Sequence, residues 1–374
     1  MRVVFLTHNY PRAPGDVAGA FLHPLALALA ARNHDVRVVA PSDHGVGGSS
    51  RLDGIPVDRV RYASPDRERY AYSGRMQEAL RSPAGWLAML RLVSALRRGA
   101  EAAAGDDCQT VIHAHWWFPA GLAAPDRPCV VTLHGTDAAL LARPGATWLA
   151  RRALRRGRVV TAVSTHVGGQ IERATRRTID AGHRSPMPLT LPARRSAGGA
   201  GLVFVGRLTR QKRVDLALRG HALCVAAGHR LDFLVIGDGP ERPALAALAE
   251  SLGTGLVRFA GQVAPAQVGA AIGDADVFVF PALGEGLGLA AIEALGCGVP
   301  VVACGDGGGV LDIVPAGMAV APTPEALAAG IAAVLADPGA RRRAAEAGDR
   351  YRIELSPDSV AARCEDWYRE ALDG

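Results

Sequence analysis

Lysine is all but missing from this chain: of its 42 basic residues only Lys212 carries an ammonium, and the rest are arginines. Chance retention explains one lysine plainly. The sharper reading is a site that requires a compact point charge and not a planar fork. Cysteine pairs at C-x-x-C spacing are missing too. Cys108, Cys129, Cys224, Cys297, Cys304 and Cys364 are scattered, which argues against zinc or redox motifs and for core packing in a reducing compartment. No stretch nears the roughly 20 uninterrupted apolar residues that span a bilayer. The opening Met1–Leu6 is too short for a secretory signal and reads as a first buried strand, so a cytoplasmic chain is expected. No G-x-G-x-x-G follows that strand, where Thr7–Gly15 is a proline-containing loop; this disfavours a simple NAD-dependent enzyme. No G-x-x-x-x-G-K-[ST] occurs, which excludes a P-loop. A formal charge of +6 over 374 residues is too dilute to mark a nucleic-acid binder.

What is present is alternation. Strand-like apolar runs at 3–7, 35–41, 111–115, 129–134 and 159–164 are separated by loops and helix-period stretches at 21–32, 84–98 and 148–156. A Pro-, Ser- and Gly-rich stretch at 187–200 reads as a linker. The alternation then restarts, with strands at 201–205, 232–236, 257–259, 277–280 and 299–303 among further helices. Parallel βαβ units follow from that pattern. The fold expected is α/β: two Rossmann-like, doubly wound domains facing a central cleft, at 1–190 and 200–355. A last helix within 356–374, with Val360, Cys364 and Trp367 on one side, would cross back to the first domain. Ligands of such sheets bind beyond the carboxyl ends of the strands, so chemistry belongs on the loops that follow them.

The second half concentrates the candidates. After the strand at 201–205, Gly206-Arg207-Leu208-Thr209-Arg210-Gln211-Lys212 places two cations five residues apart on a loop. Both can converge on a diphosphate through charge-assisted hydrogen bonds, although loop cations are usually just solvated. Gly237-Asp238-Gly239-Pro240 is a tight turn, as easily structural as nucleotide-facing. The richest stretch runs from Pro281 to Pro300, where a strand ends in a glycine-rich loop and a helix begins inside it. Free N–H groups at such a terminus suit phosphate or sugar oxygens. Glu285 and, eight residues on, Glu293 are carboxylates able to accept from vicinal hydroxyls, and helical spacing would put them near one face. The one D-x-D, Asp274-Ala275-Asp276, directly precedes an apolar strand and reads as a cap and turn in preference to a metal site.

The Pro281–Pro300 segment resembles the E-x7-E signature of glycosyltransferase family 4, retaining enzymes of the GT-B fold, and Gly206-Arg207 with Lys212 matches that family's diphosphate-binding pair. Gly308–Val314 and Glu325–Ala328 resemble its downstream segments, so the likeness covers nearly the whole chain. The resemblance implies that Arg207 and Lys212 neutralise the departing diphosphate. It gives Glu285 the donor sugar's hydroxyls and Glu293 those of ribose, with Gly286, Leu287, Gly288 and Leu289 touching sugar and phosphate through their amides. Gln262 and Val263 would edge the base. Asp312 stands where the family more often has Glu, and the Cys304–Gly309 loop is one residue longer.

In the first half, Thr132–Asp137 resembles the family's H-G-x-D segment. This implies His134 in the cleft near the donor sugar, with Thr136 or Asp137 touching sugar or acceptor. Gly19 alone remains of the family's usual glycine pair beside the diphosphate. His113 and His115 alternate on one strand and so face one way, but no carboxylate or thiolate stands at ligand spacing, and no metal is expected. Arg-rich segments at 75–98 and 151–158 read as solvated faces, with contact to an anionic membrane or a phosphorylated acceptor as the alternative.

The expectation is a metal-independent, retaining hexosyltransferase with no cofactor, drawing on a UDP- or GDP-sugar. Its acceptor is expected to be a small-molecule hydroxyl, with a lipid-linked or polysaccharide acceptor close behind and peripheral contact with the inner membrane face allowed. A phosphorylase or epimerase of the same fold, or a non-catalytic nucleotide-sugar-binding protein, are the competing readings.

Overall fold

The computed structural model describes every residue except Val17, Arg69, 73–75, 80–81, Pro144, 195–198, Ala200 and 316–317. Arg75 and Arg81 of the first Arg-rich segment, and most of the Ser/Gly part of the expected linker, therefore lie outside the described residues. In chain order the elements are β1 (Arg2–Leu6), α1 (Leu22–Ala31), β2 (Asp35–Pro41), β3 (Gly48–Leu52), β4 (Ile55–Val60), α2 (Met76–Ala79), α3 (Pro83–Ala104), β5 (Thr110–His115) and β6 (Cys129–Leu133). Next come α4 (Ala146–Arg156), β7 (Val159–Ala162), α5 (Thr165–Thr175), β8 (Leu202–Val205), α6 (Val214–Ala226), β9 (Phe233–Ile236), α7 (Arg242–Ser251) and β10 (Val257–Gly261). The series closes with α8 (Pro265–Asp274), β11 (Val277–Phe280), α9 (Leu289–Gly296), β12 (Val301–Cys304), β13 (Ala319–Val320), α10 (Pro324–Ala336), α11 (Ala340–Glu354) and α12 (Pro357–Asp373).

Two compact units result: Met1–Pro188 with Leu355–Gly374, and Leu189–Glu354. The first holds a seven-stranded sheet, β3-β4-β2-β1-β5-β6-β7; the second a six-stranded sheet, β10-β9-β8-β11-β12-β13. All pairs are parallel except β3 with β4. The central strands are apolar along their whole length, as β6 (CVVTL) and β11 (VFVF) show, because helices cover both faces. In each unit the strand order reverses beside the first strand, between β1 and β5 and between β8 and β11, and crevices for ligands form at such reversals.

Helix starts are written locally. Ser82, Thr323 and Ser356 accept from the N–H three residues on, and a proline follows each at the first helical position, where its missing N–H costs nothing. The hairpin β3–β4, the helix α5 and the two-residue β13 were not anticipated. β3 (GSSRL) is a polar edge strand with no apolar alternation to mark it, and Pro56 breaks the pattern of β4. The D-x-D reading needs one correction. Asp274 ends α8 and so opens no helix, while the Asp276 carboxylate accepts from Gly199 N–H (2.7 Å) and Gly201 N–H (3.0 Å) and pairs with Arg341 (3.1 Å). Asp276 thus fastens the approach to β8. Helix α12 buries Val360, Cys364 and Trp367, and its Tyr368 hydroxyl meets His113 Nδ1 at 2.8 Å; Arg32 forks onto Glu365 at 2.8 and 3.0 Å. Among the described residues no helix is long and apolar enough to cross a membrane.

Candidate functional site

The second unit builds its crevice from three loops that follow β8, β11 and β12. The first leaves β8 at Gly206, whose N–H donates to Ile236 O (3.0 Å). Gly237 at the end of β9 has φ +127°, and a Cβ there would lie 2.0 Å from Gly206 O. The two loops pass so closely that only glycine fits. Lys212 ends a short 3-10 turn, and Arg213 follows in the left-handed region at φ 45°.

Arg213 fixes the other two loops. Its Nη atoms grip Asp306 at 2.5 and 2.8 Å and its Nε donates to Pro281 O (2.8 Å), joining the loops after β11 and β12 in one fork. The pairing raises the Arg213 pKa and lowers that of Asp306. Gln211 adds two bonds to Leu283, accepting its N–H at 2.9 Å and donating to its carbonyl at 3.1 Å. Glu285 N–H donates to Gly307 O (2.9 Å) and Glu285 O accepts from Gly309 N–H (2.8 Å); a Cβ on Gly308 would lie 2.5 Å from that oxygen. Of the residues that hold the site together, Arg213 and Asp306 escaped sequence reasoning, and Gly308 was marked only as part of a family-like segment. The only signals were the Lys-Arg pair at 212–213 and the glycine run at 307–309.

That bracing sets the candidate side chains. Lys212 Nζ lies 3.0 Å from Glu285 Oε1 and 5.7 Å from the centroid of the Phe280 ring, with both charged side chains about one-fifth exposed. Gly288, at φ +91°, turns the chain into α9, and a side chain there would strike Phe280 and Val310. Leu287 is buried and Gly286 partly so; Leu289 is the first residue of α9 and is 44% exposed. Glu293 is half-buried on α9 and its carboxylate has no hydrogen-bond or ion partner among the described residues; burial alone raises its pKa. The helical relation expected between Glu285 and Glu293 does not hold, because α9 begins only at Leu289 and Glu285 is held by strand-like bonds to Gly308. Arg207 is exposed and makes no ion pair among the described residues, so Lys212 is brought to Glu285 while Arg207 reaches neither carboxylate. Val263 is half-buried just after β10, beside exposed Gln262.

The first unit gathers aromatic and imidazole rings at the ends of β1, β5 and β6. His134, partly exposed after β6, has its Nε2 3.2 Å from His115 Nδ1 and its ring 4.4 Å from that of Trp116. Desolvation, then the neighbouring imidazoles, holds its pKa well below the ordinary value, so it is neutral at pH 7. Trp116 sits at φ 69°, a strained position for a bulky residue, and also meets the His8 ring edge-on, with centroids 4.5 Å apart. Gly19 has φ +63°, and a Cβ there would lie 2.1 Å from Asn9 O, so this glycine is required by the chain's own packing.

One expectation changes here. Asp137 is 1% exposed and its carboxylate is spent on the N–H groups of His134 (3.0 Å), Gly135 (3.2 Å) and Trp117 (3.0 Å). It shapes the loop that presents His134, and burial pushes its pKa up to about 6. His113 and His115 do face one way, with ring centroids 4.1 Å apart, but His113 is consumed by Tyr368 and Thr132, each at 2.8 Å. Among the described residues no group of three or more His, Cys, Asp or Glu is arranged to hold a metal.

Comparison with known proteins places these features in context. The family described as Glycosyltransferase Family 4 matches residues 18–182, and that described as Glycosyl transferases group 1 matches residues 196–351. A D-inositol 3-phosphate glycosyltransferase from Thermobispora bispora is 30% identical over 70% of this chain and 71% of its own. A glycogen synthase from Mycobacterium tuberculosis is 28% identical over 100% of this chain and 96% of its own. The solved structure of Anabaena Alr3699/HepE in complex with UDP is similar with a TM-score of 0.69 at 19% identity, covering 98% of this chain and 99% of that one.

Proposed function

The chain belongs to glycosyltransferase family 4 and has the GT-B fold, and from that premise we propose that it moves a hexose-type sugar from a nucleotide diphosphate sugar to an acceptor hydroxyl, retaining the anomeric configuration and using no metal ion. The observation that carries the reading is the Lys212–Glu285 contact at 3.0 Å, which sets a phosphate-seeking cation beside a sugar-seeking carboxylate at the strand reversal of the second unit. Glu293 supports it. A half-buried carboxylate without a partner among the described residues has acceptor capacity in reserve, which suits the two vicinal hydroxyls of a ribose.

In the proposed step the diphosphate leaves C1 as the acceptor hydroxyl approaches the same face, and a leaving phosphate oxygen takes the acceptor's proton. Lys212, Arg207 and the amides at the start of α9 stabilise the charge that builds on the diphosphate, the kind of preorganised electrostatic stabilisation that dominates many transfers. His134, neutral at pH 7, can accept from or donate to a sugar hydroxyl without adding charge. The UDP held by the similar HepE structure puts uridine first among the bases, and the relative named for D-inositol 3-phosphate favours a small-molecule acceptor. The relative named glycogen synthase, matched nearly end to end, supports a glucan as the second reading.

A thermal-shift screen of UDP, GDP, ADP and dTDP and their sugars, with EDTA present, tests the donor site. One nucleotide family is expected to raise the melting temperature, and silence from all of them would end the reading. Release of nucleotide diphosphate with inositol phosphate or with glucan then separates the acceptors.

A further inference from the structure

A second concentration of charge lies in the first unit, at the opposite end of its strands from His134. It occupies the approaches to three adjacent parallel strands, with Cys108 before β5, Pro128 before β6 and Arg158 before β7, and the last turns of α4 beside them. His134 follows the far end of β6, whose five residues span roughly 16 Å at 3.3 Å each. The groove has a volume of about 950 Å³.

Its walls carry Arg127, Arg152, Arg155, Arg156 and Arg158 against one carboxylate, Asp126, and none of the five is ion-paired among the described residues. Three are clamped on backbone carbonyls: Arg127 on Gly105 and Asp107 (2.6 and 3.1 Å), Arg156 on Leu122 and Ala124 (2.9 and 3.3 Å), Arg158 on Ala371 (2.9 Å). Each clamp uses one or two of five N–H donors, so the remaining donors are preorganised. The Arg155 side chain holds only the carbonyl of Arg151 in its own helix (3.3 Å), and the Arg152 side chain has no hydrogen bond among the described residues. Burial, then repulsion from Arg97 and Arg152, lowers the Arg156 pKa. Arginines near a helix C-terminus do favour the helix dipole, which accounts for Arg155 and Arg156 but not for Arg127 and Arg158 converging from two other loops. The indole of Trp148, 64% exposed, forms an apolar wall of the same groove.

We propose that this groove is a binding site for a ligand bearing two or more phosphate groups, separate from the donor site in the second unit. A polyphosphate supplies the countercharge that the chain withholds, and the forked guanidiniums match phosphate oxygens in pairs. The same chemistry is offered by soluble phosphate compounds and by the headgroups of anionic lipids.

Calorimetry with inorganic tripolyphosphate tests it, run on the full chain carrying Arg207→Ala and Lys212→Ala so that the donor site does not contribute. Adding Arg152→Glu and Arg155→Glu, both on the exposed face of α4, is expected to weaken binding by about tenfold or more. Circular dichroism and an unchanged melting temperature show that these variants fold. In parallel, sedimentation with phosphatidylcholine vesicles, with and without cardiolipin, an anionic lipid that carries two phosphates, distinguishes the source. Tripolyphosphate binding lost on charge reversal supports a soluble ligand. Binding only to the anionic vesicles, lost on the same reversal, supports a lipid headgroup. Absence of both, or binding that charge reversal leaves intact, overturns the proposal.

Discussion

The proposed transfer turns, at Lys212, on one compact ammonium. It is the chain's only lysine, it contacts Glu285 at 3.0 Å, and its neighbour Arg213 does different work, bracing Asp306 and Pro281 with the fork geometry an ammonium lacks. Lys212→Ala is expected to lower kcat by the equivalent of about 2–4 kcal/mol in the transition state, by analogy with the loss of one oxyanion donor, with a smaller change in KM. Lys212→Arg should recover little, because a planar guanidinium spreads the charge that a compact ammonium concentrates at one point. Steady-state kinetics of both variants decide this, and near wild-type turnover in Lys212→Ala would rule the assignment out. Glu293 gives a second test with a definite sign. Burial raises its pKa, so between the ordinary value and the raised one the folded state holds a proton that the unfolded state has lost. Stability from this group is therefore full below the ordinary value and falls as pH rises through the window. Glu293→Gln should raise the melting temperature of the free protein at neutral pH while weakening nucleotide binding by roughly tenfold, the cost of losing a charged acceptor. In the wild type, nucleotide affinity should decline as the pH falls into that window.

Among the elements, α9 matters most because it carries Glu293 and opens beside Glu285. Its position depends on α11, which crosses so closely that a Cβ on Gly348 would lie 2.1 Å from Leu295 O. The neighbour is backbone and cannot swing aside, so Gly348→Ala must push the two helices apart. The expected result is a loss of about 1–3 kcal/mol in stability, as for overpacked sites, together with weaker nucleotide binding, since α9 moves with the contact. Denaturant midpoints and calorimetry read the two effects on one variant; intact binding beside lost stability would show that α9 is anchored from elsewhere. The periodicity of α9 was legible in the sequence. Its start was legible too, because the glycine-rich loop places the opening at Gly288, and there a positive φ makes that residue the cap before Leu289.

For the molecule as a whole, two units of similar topology predict an uneven response to ligand. A nucleotide at 100 times its dissociation constant stabilises the state that binds it by about 2.7 kcal/mol. Hydrogen exchange should show that protection in the second unit, in the loops 206–213 and 281–288 and at the start of α9, while the arginine groove at 126–128 and 152–158 keeps its exchange rates. Protection confined to the first unit would place the nucleotide elsewhere. The same experiment with tripolyphosphate, on the chain carrying Arg207→Ala and Lys212→Ala, should reverse the pattern.

The sequence by itself determined the parallel α/β architecture and the loops where chemistry gathers, since both follow from local properties: apolar runs of strand length, helical periods between them, and glycines and charges just past the strand ends. It marked Lys212, Glu285, Glu293 and His134 through a family resemblance built on such local strings. Tertiary structure alone decided what each residue spends its bonds on. Asp137 looked available and is consumed by three backbone N–H groups; His113 is consumed by Tyr368, which lies 255 positions away. Arg213 and Asp306, 93 positions apart, hold three loops together, and the arginine groove assembles cations from the approaches to β6 and β7 and from α4. Pairings over such separations leave no periodic trace in a chain, because they depend on how the strands are ordered in the sheet and not on the residues between them.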